Sequence, residues 1–328
     1  MNNNEDFRKT LYEAIRFAKV GLVTLEKTLF SAAKKINVIT TSIGEYINSD
    51  EFKESIRNIL REGEEAGEDV KRFKEVIIAM GYPPSDNMDM RLIRKIGNVI
   101  LEHDADYLKK IIDDIMLEFY TPDRITKIKI EWEHYIFLKD RLPLLRQALN
   151  AHNLGMYAIT IPSLLSQMEG IIIDGFGLKK KVKGYEFECL VKVLFNHDDV
   201  NPKKEIQNDQ EEIFDFDRLI CEFYLKFLLA PFEHGQKEVS RESRHAILHG
   251  GARPITYDHE HISLKMIIMM DNIIYKVSLL TADKKEKAKL KLIELQQNKK
   301  KKIRRKEEKR IKLYPNLGRA ILGLEFSY

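Results

Sequence analysis

Apolar residues recur at three- and four-residue steps along almost the whole chain. In FRKTLYEAIRFAKVGLVTLEKTLF, from residue 7, Leu11, Ala14, Ile15, Ala18, Leu22 and Leu25 fall on one helical face. The period continues through EFKESIRNILREGEEAGEDVKRFKEVIIAM (51–80), with Gly63 and Gly67 as candidate breaks. GYPPSDNMD (81–89) is a turn, because its two prolines forbid helix, and Ser85 or Asp86 is placed to cap the next helix. RLIRKIGNVILEHDADYLKKIIDDIMLEFY (91–120) reads as helix to Tyr120, and TPD (121–123) opens another with Pro122 in its first turn. The one strand-like stretch is DRITKIKIEWEHYIF (123–137), and its flanks favour helix.

From Arg141 the texture changes to more apolar helices joined by shorter, glycine-bearing turns. RLPLLRQALNAHNLGMY (141–157) closes near Gly155. AITIPSLLSQMEGIIIDGFG (158–177) is apolar nearly all round, as a helix at the centre of a bundle must be. YEFECLVKVLFN (185–196) and IFDFDRLICEFYLKFLLAPF (213–232) supply two more helices, and KEVSRESRHAILHGG (237–251) another, with Val239, Ala246 and Ile247 facing inward. DHEHISLKMIIMMDNIIYKVSLL (258–280) carries a stripe of Ile262, Met266, Met270, Ile273 and Val277, with Asp258 as the expected N-cap. No repeat of fixed period is visible, which argues against a solenoid. The expectation is an all-α, multi-helix protein: an N-terminal helical domain over 1–140, a helical bundle over 141–283 and an extension over 284–328.

Charge sharpens that division. The 328 residues carry a net charge of +4, yet residues 284–312 hold 15 Lys/Arg against four Glu, or +11, leaving −7 on the rest. A mildly acidic body with one basic appendage is the better description. The tract NKKKKIRRKEEKRIK (298–312), with Lys299, Lys300, Lys301, Lys302, Arg304 and Arg305, suits the phosphates of a nucleic acid such as RNA. It has no interleaved aromatics for base stacking, and no amphipathic stripe of the kind that binds a membrane surface. The apolar run after it, Leu317 to Phe326, is expected to dock on the body or on a second subunit. The 44% apolar and 32% charged composition is that of a globular chain. Two cysteines without metal-ligand spacing, the lack of a signal-peptide pattern and the lack of a membrane-spanning run lead to the expectation of a cytoplasmic protein without membrane attachment.

The densest chemistry lies in SRHAILHGG (243–251). Arg244 precedes His249 by five residues, and His245 precedes it by four. An arginine followed by a histidine five to seven positions on is cheap: Arg146…His152 and Arg253…His259 also satisfy it. Only Arg244 is followed at once by a polar Asn, Asp or His, namely His245; Gln147 and Pro254 follow the others. On a continuous helix Arg244 and His249 lie about 140° apart. Ending the helix at Gly250-Gly251 frees His249 from that constraint, since glycine takes the left-handed cap conformation.

RHAILH has the form Arg, polar residue, three more, His, and it resembles the signature of the HEPN-domain ribonucleases. The helix order around it, with a buried helix upstream and a long apolar one downstream, extends the resemblance over roughly 141–283. It implies a HEPN-like bundle that homodimerises and cleaves RNA without a metal or cofactor, motif residues of both subunits lining one cleft. Many members are toxins or antiviral effectors, so an antitoxin or other regulatory partner is a further expectation. Some toxin members carry tyrosine two residues after the motif histidine, where this chain has Gly251.

The residue types suit the chemistry on their own account. Attack by a 2′-OH needs a base for its proton and an acid for the departing 5′-oxygen, and histidine serves as either near neutral pH. A guanidinium with fixed donors fits the growing charge on phosphorus. Arg244 would bind phosphate, His249 would move protons, His245 would orient or assist, and Glu169 would brace Arg244 from a neighbouring helix. A zinc site on His245 and His249 is disfavoured, because the residue after His245 is Ala246 where zinc peptidases have their glutamate base. The competing expectations are a non-catalytic helical module that binds RNA or protein, and a nucleotide-binding bundle paired with a nucleotidyltransferase.

Overall fold

The computed structural model describes residues 50–179, 181–197, 215–233 and 241–313. The helix expected over 7–30, Val239 with its expected inward-facing position, and the apolar run 317–326 lie outside them. The described residues form twelve α-helices and no strand: α1 Asp50–Val76, α2 Met90–Glu102, α3 Ala105–Phe119, α4 Pro122–Trp132, α5 Leu142–Asn153, α6 Tyr157–Gly175, α7 Gly184–Leu194, α8 Asp217–Phe223, α9 Arg244–Leu248, α10 Pro254–Tyr257, α11 Glu260–Ser278 and α12 Ala282–Leu313. The described residues are all-α, as the periodicity predicts.

Two helices make the centre. α6 buries Ile161, Leu164, Leu165, Met168, Ile171 and Ile172. α11 packs along it and is buried nearly all round, from Ile262 to Val277, well beyond the expected stripe. Burying each such aliphatic side chain contributes about 1.5–3 kcal/mol, so this contact anchors the bundle. α5, α7 and α9 pack around α6. The same core continues without interruption into α1–α4, which meet α11 through polar ties as well. Trp132 Nε1 donates to Asp271 at 2.7 Å, and Asn272 Nδ2 donates to the Pro84 carbonyl at 2.7 Å. Lys276 Nζ sits between Asp86 at 2.5 Å and Asp217 at 2.6 Å, joining α11, the turn before α2 and α8.

Several boundaries differ from the periodicity. The stretch 91–120 is two helices, because Asp104 caps the backbone N–H of Tyr107 at 2.8 Å and starts α3 afresh. α2 is capped by Asp89 rather than Ser85 or Asp86; Ser85 holds the turn itself and Asp86 is spent on Lys276. α1 runs unbroken through Gly63 and Gly67, which share the buried side of the helix with Val70. His259, not Asp258, is the N-cap of α11, and the Asp258 carboxylate instead accepts the N–H of Ala158 in the first turn of α6. α5 ends where expected, with Gly155 at φ +74°. α8 opens into a π-helical turn, Tyr224–Leu228.

The basic tract is one helix with two halves. The first half of α12 packs on α7, burying Ala288 and Leu292, and Gln296 Nε2 donates to Glu186 at 2.9 Å. Beyond that point every described side chain is exposed.

Candidate functional site

The motif sits on a single short helix pinned at both ends. At the start of α9, the Ser243 hydroxyl accepts the N–H of Ala246 at 3.3 Å and donates to the Ala230 carbonyl at 3.1 Å. Ala246 and Ile247 face the core. The helix closes after Leu248, with the N–H of His249 on the His245 carbonyl at 3.1 Å and Gly250 at φ +71°. The N–H of Ala252 then reaches back to the Ala246 carbonyl at 2.8 Å, satisfying a helix-end acceptor. A Cβ at Gly251 would lie 1.8 Å from the Phe232 ring, so any other residue there requires that ring to move.

Arg244 points back to α6, where its Nη2 pairs with the Glu169 carboxylate; the side chains are 19% and 26% exposed. The bracing expected of Glu169 is thus present as a contact. Arg244 Nε is buried and has no hydrogen-bond partner. The hydroxyl of Tyr224, at the start of the π-helical turn, is likewise buried and unpartnered. Burial pushes that phenol well above its ordinary ionisation range, with Arg244 opposing and Glu169 adding. The tyrosine therefore lies within electrostatic reach of both. Nothing in the spacing of the sequence marks Tyr224, because its position depends on the widened turn.

His249 is exposed and His245 half-buried. Their rings are parallel within 3°, with centroids 6.0 Å apart. The i,i+4 spacing therefore sets His249 beside His245, while the arginine's own partner is Glu169. His245 ionises below the ordinary imidazole range, because burial disfavours its charge and Arg244 and His249 add repulsion that Glu169 only partly offsets. Its neutral form is thereby favoured.

The two decoy pairs look different. Arg146 pairs with Glu133 at the surface, and His152 is buried on Ser263. Arg253 and His259 are N-terminal boundary residues of α10 and α11. Among the described residues no group of three or more His, Cys, Asp or Glu is placed to hold a metal ion. The other histidine pair, His259 and His261, has stacked rings 5.4 Å apart, and His261 lies 3.7 Å from Asp113.

Gln167, beside Glu169 on α6, holds a separate contact. Arg141 Nη1 donates to Gln167 at 2.6 Å and Nη2 to Asp174 at 2.6 Å, the guanidinium lying over Gly170, where a Cβ would stand 2.6 Å from it. Lys299, Lys300, Lys301, Lys302, Arg304 and Arg305 all project from the outer half of α12; Lys299 lies over an aromatic, 4.2 Å from the Tyr185 ring centre. At 100° per residue these six cations surround the helix instead of lining one face. No described helix is long and apolar enough to cross a membrane.

Comparison with known proteins gives no match to a family model, a curated protein or a solved structure. The functional reading therefore rests on the site's own geometry and on the form of the motif.

Proposed function

We propose that this chain is a metal-independent endoribonuclease of the HEPN type. The observation that supports it best is the arrangement on α9: an arginine tethered by a carboxylate from the central helix, with a reachable histidine pair beside it. Glu169 holds Arg244 in place while leaving other guanidinium N–H groups for a phosphate oxygen. The 2′-OH attacks phosphorus, the 5′-oxygen leaves, and His249 serves the proton transfers. A homodimer would set the motifs of both subunits at one RNA-binding cleft. The outer half of α12 draws RNA in through counterion release. A cytoplasmic toxin or antiphage effector is the setting such an activity suits, with a regulatory partner to restrain it.

Incubation of the purified protein with total RNA in EDTA is the test. Fragments ending in 2′,3′-cyclic phosphate and 5′-hydroxyl are expected, and intact RNA would overturn the reading. One observation favours a second reading, a helical RNA-binding module without catalysis: cations on all sides of α12 need no active site to bind phosphates. Binding without cleavage in the same assay is its outcome.

A further inference from the structure

We propose that His245 is a catalytic residue, the general base that works with His249 as general acid within one chain. The proposal rests on the endoribonuclease reading and deepens it. Four residues apart and at the open end of α9, the two imidazoles stand parallel within 3° and 6.0 Å apart, each accessible to solvent in part or in full. In-line displacement at phosphorus needs two such groups. The entering 2′-oxygen and the departing 5′-oxygen lie on opposite sides of the phosphorus, so base and acid must be farther apart than a hydrogen bond and nearer than a nucleotide's length. The ring pair meets that spacing, and the guanidinium of Arg244, on the residue next to His245, provides donors for the non-bridging oxygens.

The environments also differ in the sense that divides the labour. His245 is set into the surface beside Arg244, which keeps its ring free of a proton and ready to accept one. His249 is exposed beyond the last helical turn and exchanges protons with water between turnovers. In the forward step a neutral ring nitrogen of His245 takes the 2′-OH proton and the 2′-oxygen bonds to phosphorus. The bond from phosphorus to the 5′-oxygen breaks, and the His249 imidazolium gives its proton to that oxygen. The products are a 2′,3′-cyclic phosphate and a 5′-hydroxyl, with one proton gained by His245 and one lost by His249. Proton exchange with solvent restores both. The second proton-transfer group then comes from the same chain and not from His249 of the partner subunit.

The experiment compares ordinary RNA with RNA carrying sulfur in place of the bridging 5′-oxygen at one linkage, a leaving group that departs without protonation. On ordinary RNA at saturating concentration, His245→Ala and His249→Ala should each lose on the order of 10²–10⁴ in rate. On the sulfur substrate His249→Ala should recover to near the wild-type rate and His245→Ala should not. Mixed dimers of the two variants should stay inactive, because no chain holds both rings. Recovery of His245→Ala on sulfur, failure of His249→Ala to recover, activity in the mixed dimer, or a full-rate His245→Ala would each overturn the assignment while leaving the ribonuclease reading intact. Wild-type protein that leaves RNA uncut overturns both. Should the alanine variant melt early, His245→Asn in place of it keeps a polar side chain there and must show the same substrate pattern.

Discussion

Two arginine–histidine pairs of similar spacing end up inverted. In Arg146…His152 on α5 the arginine is outside, 2.7 Å from Glu133, and the histidine is inside, 5% exposed with Nδ1 at 2.8 Å from the Ser263 hydroxyl. In Arg244…His249 the arginine is mostly inside against Glu169, and the histidine is outside. Sequence spacing alone does not separate them. What separates them is which residue the core takes. α5 runs on in regular helix, so His152 follows Leu145, Ala148 and Leu149 into the interior. α9 stops after one and a half turns, so His249 is released at the surface next to His245. A proton-transfer group must reach a substrate, and a phosphate ligand is best held still; only the second pair meets both conditions.

The largest expected effect breaks the pairs apart by activity. His249→Ala should lower cleavage at saturating RNA by on the order of 10²–10⁴ with little change in melting temperature, whereas Arg146→Ala should cleave at the wild-type rate. Equal losses in the two variants would erase the distinction. Stability should show the reverse ranking. His152→Ala removes a buried ring and strands the Ser263 hydroxyl, at a cost of about 2–4 kcal/mol in urea unfolding, while the folded fraction keeps its cleavage rate.

Acid sharpens the same contrast. Burial pushes the His152 imidazole down from 6.5 to about 4. Between those values the unfolded chain holds more proton than the folded one, so stability is lost as pH falls from about 6.5 towards 4. The loss from this group amounts to about 3 kcal/mol when complete. Melting temperature against pH should accordingly flatten over that window in His152→Gln; an unchanged slope would assign the acid sensitivity to other groups.

The smallest effect concerns α12. Exchange of eight of the Lys/Arg in 284–312 for Gln should weaken RNA binding and flatten its salt dependence, because fewer counterions are released. Cleavage at saturating RNA should persist. An unaltered salt slope would mark the tract as a solvated helix.

Much of this was legible along the chain. Periodicity identified an all-α protein, the apolar girth of 158–177 marked the central helix, and Gly155 and Gly250 marked true helix ends, each at positive φ. Glu169 was readable as a brace because an acidic side chain amid the apolar run of 158–173 gains from a cationic partner on a neighbouring helix. Other features depend on choices between near-equal local options. Ser85, Asp86, Asp89 and Asp104 could each cap a helix, and tertiary demand decided between the first three: Lys276 claimed Asp86 and left α2 to Asp89. The break at Asp104 interrupts a period that scarcely falters, so a cap won over a pattern. Tyr224 was hidden for a different reason: it depends on how the backbone departs from regular helix, in a π turn, and regular periods carry no record of departures. The pairing of His245 with His249, by contrast, follows from their i,i+4 spacing.

The Trp132–Asp271 hydrogen bond has an optical consequence. Trp132 is the chain's single tryptophan, 1% exposed, on the last turn of α4, and its indole donates to a carboxylate of α11. Burial raises that carboxyl to about 6, so its charge changes close to neutrality while the indole is its hydrogen-bond donor. Intrinsic fluorescence therefore reports one junction only, the seam between the N-terminal helices and the central pair. Its emission should be blue-shifted in the native protein, titrate in intensity near that pH, and move to the red as soon as α4 parts from α11, whether or not the rest of the bundle has melted.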